Sequence, residues 1–284
     1  MSNHMQVGDS WSATAKAYAS DSIIKIPEYF AEVAAGLLLK DVPADGAVRF
    51  LDVAAGVGTL ASSVLSKLSA EQKEYSTFDI TDFSPGMVEK SESEIAKIDV
   101  DNKVAKKFQV MDGQALTFPD HTFSHLGCQF GIMFFPDRAK GLSEMYRVLQ
   151  LDGTAAILTW HYVDNMPLML EFAEYIKVTN LEASTENMNK VLSACGEAAT
   201  FEAELAAVGF RDITVTKVDQ TFSLPHNEEF FLAYASNPGM KPFMGGEDKF
   251  PEWQEFFRTV GSKWVNADGR ISLRFVANLA IAKK

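Results

Sequence analysis

The segment LDVAAGVGTL, residues 51–60, gathers residue types that do chemistry at close range. Gly56 and Gly58 let a backbone turn sharply and bring its amides against a bound group. Asp52 stands four residues ahead of Gly56, at the end of the apolar run VRFLDV. A carboxylate in that place attracts a cationic part of a ligand and repels a phosphate. The stretch Gly56-Val57-Gly58-Thr59-Leu60-Ala61 also satisfies the G-x-G-x-x-G/A spacing of dinucleotide loops, with Asp79 about the right distance downstream. A pyrophosphate would find Asp52 repulsive, which argues for a positively charged ligand instead.

Acid–base chemistry has few candidates. His161 follows the run TAAILTW, and His226 sits in SLPHNEEF. Either imidazole changes charge near neutrality, so either would serve as a general base. His125 reads as internal to a strand, and His4 and His121 as solvent-facing. Cys128 and Cys195 form no CxxC pair, so neither a metal site nor a disulfide framework is expected.

Positioning these residues requires strands that end at a common edge. Apolar residues at helical spacing (Ile23, Ile26, Phe30, Val33, Leu37) predict one or two helices over 11–40, interrupted near Pro27. VRFLDV is a buried strand with a tight turn behind it, and 59–70 returns to helical period. Further strands are expected at 75–81, 107–111, 122–130 and 154–160, with helices at 85–98 and 138–149. This alternation predicts an α/β fold, a parallel sheet with helices on both faces. After Trp160 the rhythm changes: 167–208 is mostly helical, and Gly209 ends its last helix. The segments 211–224 and 270–284 alternate as strands without a full helical unit each, which predicts an antiparallel end to the sheet. The 230–265 stretch between them reads as a helical lid insertion. One domain over 1–284 accounts for all of this, with cap helices at 10–45, a ligand-binding core at 46–160 and insertions plus the last two strands at 161–284.

Lysine and arginine number 26 against 38 acidic residues, a net charge of −12. A field of that sign repels nucleic acid and anionic membrane surfaces, which leaves a neutral or cationic small molecule as the expected partner. No apolar run approaches the ~18 residues of a membrane span. Residues 1–11 carry no secretory pattern, and a cytoplasmic monomer or homodimer is the expectation.

Five stretches taken together resemble the class I S-adenosylmethionine-dependent methyltransferases. Asp52, Ala54, Gly56 and Gly58 fill the D-x-[GA]-x-G-x-G motif. DFSPGMVEKS (82–91) is similar to the D-x-S-P-x-M element, and QVMDGQALTFPDHTFSHL (109–126) to the segment after the third strand. FGIMFFPDRAKGLSEMYRVLQLDGT (130–154) resembles the block typical of the ubiquinone/menaquinone-biosynthesis type. Trp11 and Tyr18 resemble the W…A-x-x-Y signature of a helix that covers the cofactor. The resemblance implies a doubly wound, Rossmann-like, seven-stranded sheet, mostly parallel with an antiparallel final strand. Leu151-Asp152 replaces the Pro-Gly of the usual R-V-L-K-P-G-G turn, and Ser124 replaces a common Asp; neither position belongs to the cofactor pocket.

The resemblance also implies roles, and the chemistry of each residue suits its part. Asp52, with the backbone of Ala54 and Gly56, would oppose the ammonium of the methionine end. Asp82 would accept both ribose hydroxyls, since a carboxylate takes two donors at once; Asp79 is its rival. Phe83 and Met87 would flank the adenine, Asp112 would accept its amino group, and the amides of Gly113 and Gln114 would meet the ring. Cys128 and Gln129 would offer backbone carbonyls to the ammonium, and Tyr18 would cover the cofactor.

Two aromatic stripes, Met166/Met169/Phe172/Tyr175 and Phe230/Phe231/Tyr234, and the insertion residues Phe243, Trp253, Phe256, Phe257 and Trp264 suit a planar or hydrophobic acceptor. The glycine spacing leaves a nicotinamide-dependent oxidoreductase as an alternative, which Asp52 and the S-P-x-M frame both disfavour. A second alternative is a protein of this fold that binds the cofactor but performs a different step or regulates a partner, since fold and cofactor site do not fix the chemistry.

Overall fold

The computed structural model describes residues 11–12, 15, 21–101, 103–161, 196–226, 255–256, 258–259 and 265–284. Tyr18, Cys195, His4, both aromatic stripes and most of the 230–265 insertion lie outside these residues.

Helix α1, Asp21–Leu38, turns Ile26, Phe30, Ala31, Ala34, Ala35 and Leu38 into the core. It runs through Pro27 without interruption. An internal proline removes a donor and crowds the preceding turn at a cost near ~3 kcal/mol. Burial of six side chains along one face offsets that cost, which is why the break expected from sequence is not seen.

Seven strands form one sheet in the order β3-β2-β1-β4-β5-β7-β6. They are β1 (Arg49–Val53), β2 (Thr77–Asp82), β3 (Ala105–Val110), β4 (Phe123–Gln129), β5 (Leu149–Trp160), β6 (Arg211–Pro225) and β7 (Arg270–Lys283). The first five pair in parallel, and β7 runs antiparallel between β5 and β6. The strand order reverses between β1 and β4, which makes their carboxyl ends the switch point where ligands bind in open α/β sheets.

The intervening helices are α2 (Thr59–Lys67), α3 (Ala70–Tyr75), α4 (Pro85–Ile98), α5 (Arg138–Val148) and α6 (Ala198–Val208). Sequence periodicity predicted a single helix over 59–70. Instead Ser69 starts a new one, its hydroxyl accepting from the Gln72 amide while the Gln72 side chain accepts from the Ser69 amide. No helix connects β3 to β4. That loop is pinned by Arg147, which donates to the Leu116 and Phe118 carbonyls and pairs with Asp120 and Glu144.

Two apolar layers cover the sheet. α1 and α2 pack with Phe50, Phe78 and Leu158 on one face, while α5 and α6 pack with Leu51, Leu126 and Ile157 on the other. The ladder between β7 and β5 runs from Ala277 to Lys283, whereas β6 pairs with β7 along its whole length, so the β6–β7 ribbon projects past the parallel sheet.

Candidate functional site

The carboxyl ends of β1, β2 and β4 build the site. Beyond β1 the chain turns through Ala54 and Gly56 at φ of 53° and 57°, and Gly58 follows at 83°. Only glycine adopts such angles freely, and strain at Ala54 is of the order of 1–3 kcal/mol. Phe130, at the end of β4, is likewise at φ 57°. The next residue, Gly131, backs onto Ala54 so closely that an added Cβ would sit 2.4 Å from the Ala54 methyl. Two strained turns therefore face each other across the switch point.

A Cβ placed on Gly56 would meet no atom of the described residues within 4 Å, so among them the turn is open. At Gly58 the reverse holds: a Cβ would press on Ile95 at 3.0 Å, and the missing side chain lets α4 approach α2. Substituting Gly56 with valine is expected to weaken adenosylhomocysteine binding by at least about 100-fold, while the left-handed backbone costs only ~1–2 kcal/mol. Calorimetric titration beside a thermal melt checks this. A binding loss no larger than the stability loss would place the ligand elsewhere.

Two carboxylates brace the turn. Asp52 is fully buried; its Oδ2 accepts from the Ala61 amide at 3.0 Å, near the amino end of α2. Its Oδ1 has no hydrogen-bond partner among the described residues. Burial pushes this carboxyl up to about 8, and the negative charge of nearby Asp82 adds to the effect. Asp82 accepts from the Gly56 amide at 2.8 Å through Oδ2 and from the Ser84 amide at 2.8 Å through Oδ1. Burial raises its pKa too, opposed by those amides and that of Phe83. Thus Asp82 holds the glycine turn directly, and Asp52 holds the first turn of the helix behind it. Asp79, the rival ribose acceptor, lies within β2 opposite Leu51 and Lys107, away from the strand ends.

The other predicted residues gather around this turn. Met87 is buried in a small cluster with Ala15 and Val57, against which Trp11 and Ile24 pack. Phe83 is half-buried beside Asp82. Asp112 accepts from the Gln114 amide at 2.9 Å, and the Gln114 side chain reaches on to accept from the Asp137 amide at 2.8 Å. The Gln114 amide expected to face the adenine is thus already engaged by Asp112. Gly113 fits under Phe135, whose ring a Cβ would strike at 2.4 Å. Burial and the neighbouring charge of Asp52 push the Cys128 thiol up to about 12, which leaves it chemically inert.

Trp11 packs edge-on against Phe134 with centroids 5.3 Å apart. Ser12 lies 2.8 Å from the Ser84 hydroxyl and accepts from the Gly86 amide at 3.0 Å. A Cβ at Gly86 would stand 2.7 Å from the Ser12 Cα, so this close approach needs glycine. The N-terminal segment thus spans the first turn and the start of α4. Sequence reading singled out Trp11 but missed Ser12, whose role depends on a glycine 74 residues away.

One strand over, Phe130 and Trp160 stack at 3.8 Å, with Phe30 edge-on to both. Phe222 and Tyr29 extend this group along α1 and β6, and Phe275 joins from β7. His161 continues β5 by donating its amide to the Val276 carbonyl. Strand alternation puts its buried imidazole on the face of Ile157, opposite Trp160, with Nε2 4.0 Å from the Glu197 carboxylate. His125 is held neutral, pushed down to about 4 by burial, inside β4.

A doubly wound sheet with one reversed strand, and a glycine turn braced by acidic residues from two strand ends, defines the class of S-adenosylmethionine-dependent methyltransferase folds. The chain belongs to the ubiE/COQ5 methyltransferase family, whose model matches residues 38–218. A demethylmenaquinone methyltransferase of Bacteroides fragilis is 35% identical over 130 residues, which are 46% of this chain and 50% of that protein. The chain therefore spans about half the length of that relative. The ubiquinone/menaquinone biosynthesis C-methyltransferase UbiE of Geobacter sulfurreducens is 30% identical over 62% of this chain and 69% of its own. In fold, Haemonchus contortus phosphoethanolamine N-methyltransferase 2, solved with S-adenosylhomocysteine, superposes with a TM-score of 0.51 at 18% identity, over 89% of this chain and 52% of that one. S-adenosylmethionine is the cofactor. Among the described residues, those present fit it: space over Gly56, a buried Asp52 oxygen without a hydrogen-bond partner for a cation, and a half-buried Asp82 for hydroxyl donors.

Proposed function

We propose that this protein is a single-domain cytoplasmic enzyme that moves a methyl group from S-adenosylmethionine to an oxygen, carbon or nitrogen of a small aromatic or hydrophobic acceptor. When bound, the cofactor supplies an electrophilic methyl on a sulfonium whose departure leaves a neutral thioether. Asp52 opposes the ammonium at the methionine end, and Asp82 takes the ribose hydroxyls while still holding the Gly56 and Ser84 amides. Asp112, Phe83 and Met87 frame the adenine. The backbone carbonyls of Cys128 and Gln129 complete the ammonium contacts, and Tyr18 covers the cofactor. Positioning of this kind is worth up to ~7–11 kcal/mol of barrier in well-aligned systems.

The observation that carries the reading is the closeness, at one sheet edge, of an open glycine turn and a set of aromatic rings at the adjoining ends of β4 and β5. The relatives named for quinone biosynthesis make a quinol the first acceptor to try. Release of S-adenosylhomocysteine with a panel of quinols, phenols and amines tests it. Cofactor binding without release on any of them would favour a non-transfer or regulatory role.

A phenolic or carbon acceptor must lose a proton, and His161 is the proposed base, which requires the acceptor to reach past the β5 end to the face opposite the Trp160 ring. On such an acceptor His161→Ala is expected to lower kcat by about 10²–10⁴-fold. Unchanged turnover and an unchanged pH profile would remove His161 from the mechanism. With an amine acceptor the substitution should leave turnover nearly intact.

A further inference from the structure

Gln129 closes β4, and its side chain spans two elements far apart in sequence. Its Oε1 accepts from the Thr59 hydroxyl at 3.1 Å, and its Nε2 donates to the Pro27 carbonyl at 2.7 Å. A carbonyl only accepts, so the Pro27 contact fixes which end of the amide is nitrogen. Thr59 is the first residue of α2, directly after Gly58 and the open turn. Pro27 is buried in α1, two and three residues ahead of Tyr29 and Phe30, whose rings reach Phe130, Trp160 and Phe222. One amide thus links the turn that meets the cofactor to the helix that carries the aromatic wall. No other side-chain type of this length both accepts and donates here: glutamate would press an oxygen on the Pro27 carbonyl, and methionine offers no strong polar atom.

We propose that Gln129 is a positioning residue, whose side chain sets α1 and its rings relative to the cofactor turn so that cofactor occupancy is felt in α1. The inference rests on the cofactor reading above. It separates two roles at one position, a backbone carbonyl toward the ligand and a side chain that ties the wall to it. Lys67 and Glu32 also join α2 to α1, but at the exposed surface, where water competes for the pair.

Hydrogen exchange of the full chain tests this, with S-adenosylhomocysteine as the probe and each variant saturated according to its own Kd. In the wild type, the ligand is expected to slow exchange along 28–38 by about five- to tenfold, the effect of one typical hydrogen bond. Gln129→Glu keeps the Thr59 contact and breaks the Pro27 contact. Its α1 amides should respond less than about twofold, while the amides of 56–62 still respond. A purely structural role would change protection equally with and without ligand, leaving the difference as in wild type, and that result overturns the proposal. Thr59→Val breaks the other arm and should give the same uncoupling, which covers the case in which Gln129→Glu fails to fold. A wild type that binds the probe without any response in α1 overturns the coupling alone. A wild type that does not bind the probe overturns the cofactor reading and the coupling together.

Discussion

Replacing Asp82 with alanine is expected to weaken S-adenosylhomocysteine binding by at least about 100-fold and to lower the melting temperature in the same variant. Its two oxygens hold the Gly56 and Ser84 amides at 2.8 Å each, so truncation leaves two donors without their acceptor and frees the turn. A hydrogen bond to a charged group contributes ~1.5–3 kcal/mol, and the ribose contacts would be lost as well. Asp82→Asn keeps one acceptor oxygen but presents a donor to the second amide, so it should fall between wild type and alanine in both measurements. Titration calorimetry with thermal melts checks the order. An alanine variant that binds normally would move the ribose elsewhere, with Asp79 the next carboxylate to test.

Asp52 should make cofactor affinity depend on pH. Its carboxyl is pushed up to about 8 by burial, so it is mostly protonated in the free protein at neutrality. A cationic ammonium prefers the ionised form, and binding below pH 8 must therefore release a proton. Affinity is expected to rise up to about tenfold per pH unit from pH 6 to 8 and then level off. Calorimetry in buffers of different ionisation enthalpy would count the proton. In Asp52→Asn the dependence should vanish and affinity should fall.

The stability of the free protein should move the opposite way. A carboxyl whose folded pKa lies above its unfolded one contributes most below the unfolded value near 4, and that contribution is lost as pH rises through about 8. Asp52→Asn is thus expected to melt several degrees higher than wild type at pH 8 and at nearly the same temperature at pH 4. An affinity independent of pH in wild type would mean that Asp52 does not meet the ligand's cation.

Much of the sheet was legible because its signals are local. VRFLDV, followed by two glycines, marks a buried strand and turn by composition alone, and the match from 52 to 154 placed the carboxylates at the right strand ends. What escaped reading depends on contacts between distant segments. Pro27 looked like a helix breaker because the burial that overrides it comes from α2 and the sheet. Gln129 was assigned only a backbone role, since nothing around it in sequence names Thr59 or Pro27 as partners. The expectation that Gln114 would offer its amide to the ligand ignored its neighbour two residues back, Asp112, which engages that amide itself. The face on which His161 lies follows from alternation along β5, yet its distance from Glu197 comes only from the packing of α6 beyond the sheet.

The ribbon formed by β6 and the first half of β7 carries rings that lie beyond the family match. The family match ends at residue 218, whereas Tyr29, Phe30, Phe222 and Phe275 all lie outside it. The glycine turn and its carboxylates therefore lie inside the matched segment, and most of the rings that border them lie on either side of it. On the proposed function, acceptor choice would then depend on segments that lie outside the matched region. Chimeras that swap only those ends would ask whether acceptor choice is inherited separately from the methyl donor.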